Sequence, residues 1–158
     1  IGILSPCSES WGEKLLLKEE TTKYFWFIHN TAYFMRRDFI ESIMINDNPD
    51  YLNFLFDGSN FRGYFSETEL IAKAYANDWA AAITSDVWAE ENESHLLNQS
   101  DLIKTETYDE NEKLYIQEGM NWIHKKYGFN SRWSMINHVK NLYDNFFKFH
   151  PEYSKYKI

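Results

Sequence analysis

Lys23-Tyr24-Phe25-Trp26-Phe27-Ile28-His29-Asn30-Thr31-Ala32-Tyr33-Phe34-Met35-Arg36-Arg37-Asp38-Phe39-Ile40-Glu41-Ser42-Ile43-Met44-Ile45 is the stretch on which the fold turns. Its opening, Tyr24 to Ile28, is an unbroken apolar run that would suit a buried strand. The longer register points the other way. Phe25, Ile28, Ala32, Met35, Phe39 and Ile43 recur at steps of three and four, which is one face of a helix. Tyr24, Trp26, Phe27, Tyr33 and Phe34 flank that face, so the helix would be apolar over more than half its circumference. Such a helix is central in a bundle or is covered by another chain. Asn46-Asp47-Asn48-Pro49 ends it, because the residue before proline resists the helical basin.

The same reading extends in both directions. Ser8 to Glu20 forms a short first helix, with Ser10 as N-cap ahead of Glu13. Asn48 caps a short helix that starts at Pro49 and runs through Phe56. Asp57-Gly58-Ser59-Asn60 is a turn. Ser66 with Glu69 makes a capping box for a helix bearing Ile71, Tyr75, Trp79, Ile83 and Val87, running to about Leu97 with a break near Thr84-Ser85-Asp86. Asp109 with Glu112 makes a second box, for a helix bearing Ile116, Met120, Ile123 and Tyr127 and closed by Gly128. Asn130 or Ser131 caps the last helix, whose face is Trp133, Ile136, Val139, Tyr143 and Phe146. His150-Pro151 stops it, and residues 151–158 form a loose tail. The expectation is therefore an all-α fold, a single-domain bundle of five to six helices spanning 1–158.

Composition agrees with a folded domain. The 158 residues include 6 Trp, 11 Tyr and 12 Phe, so the core should be rich in rings. Only 6 Gly and 3 Pro leave few turn signals, which favours long helices over many short strands. One cysteine, Cys7, rules out an internal disulfide and a multi-cysteine zinc site. No apolar run is long enough to cross a bilayer and no signal peptide is visible, so an intracellular location is expected.

Charge is segregated. Ile1 to Arg37 carries a net +1, Asp38 to Glu118 a net −14, and Gly119 to Ile158 a net +5. Segregation either softens repulsion between packed helices or presents a patch that steers a partner.

Several catalytic motifs fail on inspection. Gly58 and Gly63 have the spacing of a phosphate-cradling loop, but Tyr64 and Phe65 stand where Lys and Ser or Thr are needed. The loop from Asp57 is no calcium hand, since Arg62 replaces its glycine and Thr68 its bidentate carboxylate. His29, His95, His124, His138 and His150 show no pair at zinc-binding helical spacing.

Two constellations remain. Glu90 and Glu93 lie three apart, and Glu106 and Asp109 repeat that step. Four such carboxylates on two antiparallel helices can hold magnesium beside a triphosphate. This pattern resembles the metal-binding signature of the all-α nucleotide pyrophosphohydrolases, over Glu90 to Asp109 only. The resemblance implies a magnesium-dependent nucleotide pyrophosphohydrolase, although Asp109 reads as a cap and would leave Glu106 outside its helix. The second constellation is the basic hairpin, with Lys125 and Lys126 before the turn and Arg132, Asn137, His138 and Lys140 after it. Cations there can meet phosphates while Arg132 or Asn137 reaches a base edge.

The favoured expectation is a non-catalytic helical protein, without a cofactor, that binds another macromolecule through an acidic or aromatic surface. An inhibitor, an immunity-type protein or an accessory subunit would each fit. Glu90, Glu91, Glu93, Asp109, Glu110 and Glu112 are the expected protein contacts. The alternatives are nucleic-acid binding by the hairpin and the magnesium enzyme.

Overall fold

The computed structural model of the chain describes residues 1–8, 17, 20–27, 32–44, 55–60, 62–90 and 107–158. Its centre is a mixed sheet, which overturns the all-α bundle. The strands are β1 (Ile3–Cys7), β2 (Thr22–Tyr24), β3 (Phe34–Met35) and β4 (Ala81–Trp88), in the order β2-β4-β1-β3. β1 and β4 run parallel, with Ile3 opposite Ala81 and Ser5 opposite Ile83. β2 pairs antiparallel with β4, and β3 antiparallel with β1. Pro6 offers no backbone donor, and the β1–β4 register shifts between Pro6 and Cys7, where a strand tolerates it.

The helices are α1 (Arg37–Ile43), α2 (Ser66–Ala76), α3 (Tyr108–Tyr127) and α4 (Arg132–Phe149), followed by a 3-10 helix at Pro151–Tyr156. The helix expected over 23–45 is thus two short strands and α1. Phe25 carries the pairing one step beyond β2, donating its N–H to the Ala81 carbonyl at 2.9 Å. Aromatic side chains suit a pleated surface, and the three-and-four spacing is shared by chance among three elements. The helix expected to run past Ala76 stops there. The Asn77 N–H turns back to the Lys73 and Ala74 carbonyls, and Asp78 adopts φ +66°. Ile71 and Tyr75 lie on α2, whereas Ile83 and Val87 lie on β4. Ala80 to Thr84 are all buried, so both faces of the first half of β4 are covered.

Two expected caps also change. Phe65, at φ +67°, precedes α2 without any side-chain cap, so Ser66 and Glu69 form no box. On α3 the box is Thr107 with Glu110, two residues before the expected pair. Gly128 at φ +76° ends α3, and Ser131 caps α4, both as expected. The tail expected to be loose instead closes the β2 edge. Lys157 bridges Tyr24, Tyr156 stacks on the Tyr24 ring at 5.0 Å, and Ile158 donates its N–H to Tyr143 Oη at 2.8 Å. Helices expected over 8–20 and 48–56 fall mainly outside the described residues.

α2 packs on α4 and against β4. Tyr75 meets the rings of Tyr143 and Phe146, and Tyr24 of β2 meets Phe146 and Phe147. This main core also holds Ile3, Cys7, Phe39, Leu70, Ile71 and Val139. A smaller core, formed by Phe65, Trp122, Ile123 and Met135, pins the C-terminal half of α3. Among the described residues, no helix is long and apolar enough to cross a membrane.

Candidate functional site

Glu69 is the anomaly from which the site is built. It lies on the buried face of α2, between Thr68 and Leu70, and is only 2% exposed. A buried carboxylate is costly unless paired and hydrogen-bonded. The last turn of α3 supplies the pairing. Lys126 Nζ donates to Glu69 Oε1 at 2.8 Å, and Tyr127 Oη donates to the same oxygen. Lys73, one turn along α2, lies 3.6 Å away. The second oxygen, Oε2, is buried and has no hydrogen-bond partner.

Asp57 completes the cluster from the 57–60 turn. Its Oδ1 accepts the Ser59 N–H at 2.9 Å, and its Oδ2 lies 2.5 Å from Lys126 Nζ. Burial opposes ionisation of Asp57, but hydrogen bonds from Lys126 and Ser59 outweigh it and hold its pKa well below the usual value. Burial likewise works against the charge on Lys126, and its bonds to Asp57 and Glu69 reverse the balance, keeping it protonated. For Lys73 burial wins, and its pKa falls below the ordinary lysine value. Tyr127 is pushed up by burial and by its bond to Glu69, so it stays a donor.

Glu69 and Tyr127 wall a cleft of about 360 Å³ between α2 and α4. Ala72 and Ala76 line one side, and Met135, Val139 and Leu142 the other, with Phe129 and His138 also in the wall. A second cavity, of about 560 Å³ and more polar, is lined by Lys126, with Asp57, Asn60 and Trp122. Trp122 Nε1 donates to Ser59 Oγ there at 3.0 Å.

The expected site residues are distributed unevenly around this centre. Glu90, Asp109, Glu110 and Glu112 are exposed, while Glu91, Glu93 and Glu106 lie outside the described residues. Glu110 is engaged in the α3 capping box. The proposed magnesium set of Glu90, Glu93, Glu106 and Asp109 thus has two members outside the described residues. Among those described, no group of three or more His, Cys, Asp or Glu side chains converges. In the basic hairpin, Lys126 is held by Glu69 and Asp57, and Lys140 by Asp144 at 2.5 Å. Lys125, Arg132, Asn137 and His138 remain exposed.

Glu69, Lys73 and Tyr127 were missed as site residues. Glu69 and Lys73 stand four apart on a helix, which is a pairing signal. Their link to Lys126 crosses 57 residues of sequence and is visible only in space.

Fold and cleft together define an α/β protein built on a small mixed sheet, with a carboxylate-walled cleft between two helices. No protein-family model, no curated protein and no solved structure matches the chain.

Proposed function

We propose that the protein is a non-catalytic binding protein that docks a basic partner protein on the N-terminal half of α3. One observation carries this reading: from Asp109 to Glu118 no side chain is buried, although the helix continues unbroken into the second core. A helix segment that buries no side chain fully and touches the body mainly through Arg62 and Tyr64 contributes little to the core.

Its exposed surface combines Asp109 and Glu112 with Ile116, spaced three and four apart on one face. Charge pairing in the rest of the molecule strengthens the case. Several cations elsewhere are paired internally: Arg36 with Asp38, Arg37 with Glu41, Lys126 with Asp57 and Glu69, and Lys140 and Lys157 with Asp144. Among the described residues, no cation lies within ion-pair distance of Asp86, Glu90, Asp109 or Glu112. Asp109 and Glu112 thus present acidic charge without an internal ion pair, which suits a basic partner. The aromatic surplus is a weaker candidate for the docking face. Tyr24 and Phe25 are buried within the chain. Trp133 and Phe149 are exposed but stand at opposite ends of α4, roughly 24 Å apart at the helical rise.

The test is capture from the native host with the wild type and with Glu90→Lys, Asp109→Lys and Glu112→Lys combined. Glu110 is left intact to preserve the cap. A captured protein should be lost in the triple variant and should dissociate as salt is raised. Equal capture by both forms across ionic strength rejects the assignment.

A further inference from the structure

We infer that the cleft between α2 and α4 binds a small neutral molecule that is mostly apolar and carries a single hydroxyl or N–H donor. This does not depend on the α3 docking face. At about 360 Å³ the space falls within the range of small-molecule sites, roughly 300–1,000 Å³. Ala72 and Ala76 keep it open, since a larger side chain at either would fill it.

The polar requirement follows from the hydrogen bonds already made. Glu69 Oε1 is occupied by Lys126 and Tyr127. Lys126 Nζ also serves Asp57, Lys73 Nζ donates to the Leu55 carbonyl at 2.6 Å, and Asn77 Nδ2 donates to the Lys73 carbonyl at 2.8 Å. The group left without a partner is an acceptor, Glu69 Oε2. A complementary ligand must bring the donor.

Charge sets the second requirement. Glu69 and Asp57 balance Lys73 and Lys126, so an ionised ligand would enter without a counter-ion. Shape sets the third. The Phe129 and His138 rings pack on each other, centroids 5.6 Å apart and tilted by 44°, and give the wall an aromatic surface against which a ring can pack.

The probe is 2-naphthol, compared with 2-methoxynaphthalene, which has the same rings and no donor. Both are titrated by fluorescence against the wild type, Glu69→Gln and Ala76→Trp. Position 76 is exposed on α2 and lines the cleft without touching the Glu69 pairing, so that variant blocks the space in a folded protein. In the wild type, 2-naphthol should bind about tenfold more tightly than its methyl ether. Ala76→Trp should weaken both about tenfold, and Glu69→Gln should erase the preference between them. No binding of either probe at about 1 mM, equal affinity for the two, or indifference to Ala76→Trp overturns the inference. So does sedimentation as a dimer that Ala76→Trp dissolves, because the occupant would then be a second copy of the chain.

Discussion

The two halves of α3 are one continuous helix with opposite roles. From Gly119 to Tyr127, Gly119, Trp122 and Ile123 are buried, and Lys126 and Tyr127 grip the carboxylate of α2. From Asp109 to Glu118 nothing is buried. Contacts reaching back to the body from that half include the Arg62 bonds to Asn111 at 2.7 Å and to Glu118 at 3.2 Å and the Tyr115 ring against Tyr64 at 4.3 Å. The contrast shows how a helix can be anchored by one end alone. The second core and the buried ion cluster fix its C-terminal turns, and backbone continuity then carries the acidic turns outward. Stability and binding are thereby separated along one element, so mutations in the two halves should report on different properties.

The largest expected effect is in the anchored half. Ile123 is fully buried, and Ile123→Ala should cost about 2–5 kcal/mol of unfolding free energy in urea titration. Ile116, 41% exposed on the free half, should change by no more than about 0.5 kcal/mol when replaced by Ala. Similar losses at both positions would break the contrast.

Gly119 marks the boundary and should give the next largest effect. A Cβ at this position would lie 2.7 Å from Tyr64 Cγ and closer still to Tyr64 Cβ, so the two elements approach backbone to side chain. Gly119→Ala should destabilise by about 1–3 kcal/mol through overpacking. That result would run against helix propensity, which favours Ala by about 1 kcal/mol. A gain in stability would mean that the helix can shift away from Tyr64 and is anchored less firmly than described.

The anchored half was also the more legible one in the sequence. Gly128 and Ser131 punctuate α3 and α4 with side-chain chemistry that works locally, and Ile136, Val139, Tyr143 and Phe146 do form the inward face of α4. Trp133, placed on that face by its spacing, is 66% exposed. The sheet was unreadable for a physical reason. β4 is covered on both sides, so its buried residues run consecutively through Ala80, Ala81, Ala82 and Ile83 and do not alternate, and alanines otherwise favour helix. Asn77-Asp78 was the one local warning, since both residue types accept turn geometry, and Asp78 is where the chain leaves the helix. The site was legible only in fragments. Glu69 could be placed on α2, but local spacing assigned its carboxylate to a cap, and nothing nearby reveals that it turns inward to the end of α3.

The ion cluster should show a smaller effect that depends on pH. The folded-state pKa of Asp57 lies below its unfolded value of 3.8. Its stabilising contribution is therefore complete above that value and disappears as pH falls through the folded pKa. The side chain is 37% exposed, so solvent screening limits the contribution to about 1 kcal/mol. Asp57→Asn should lower stability by that amount near neutral pH, and the difference from wild type should shrink below about pH 4. A difference independent of pH would assign the loss to the 57–60 turn rather than to the bond with Lys126.

The smallest global effect is expected at the free end of α3, and it is the most diagnostic. Thr107 accepts the Glu110 N–H, while the Glu110 carboxylate accepts the Thr107 N–H at 3.0 Å. With nothing fully buried from Asp109 to Glu118, this box, the Arg62 bonds and the Tyr115–Tyr64 contact help hold these turns. Thr107→Ala removes about 1 kcal/mol of capping. Because those turns bury no core, the loss should appear as local fraying, read by amide hydrogen exchange over 108–118, with little change in the global urea midpoint. Protection at Trp122 and Ile123 should stay as in the wild type. If the cap mutation instead lowered protection equally along all of α3, the helix would be one cooperative unit with the second core, and its acidic half could not serve as a surface independent of the fold.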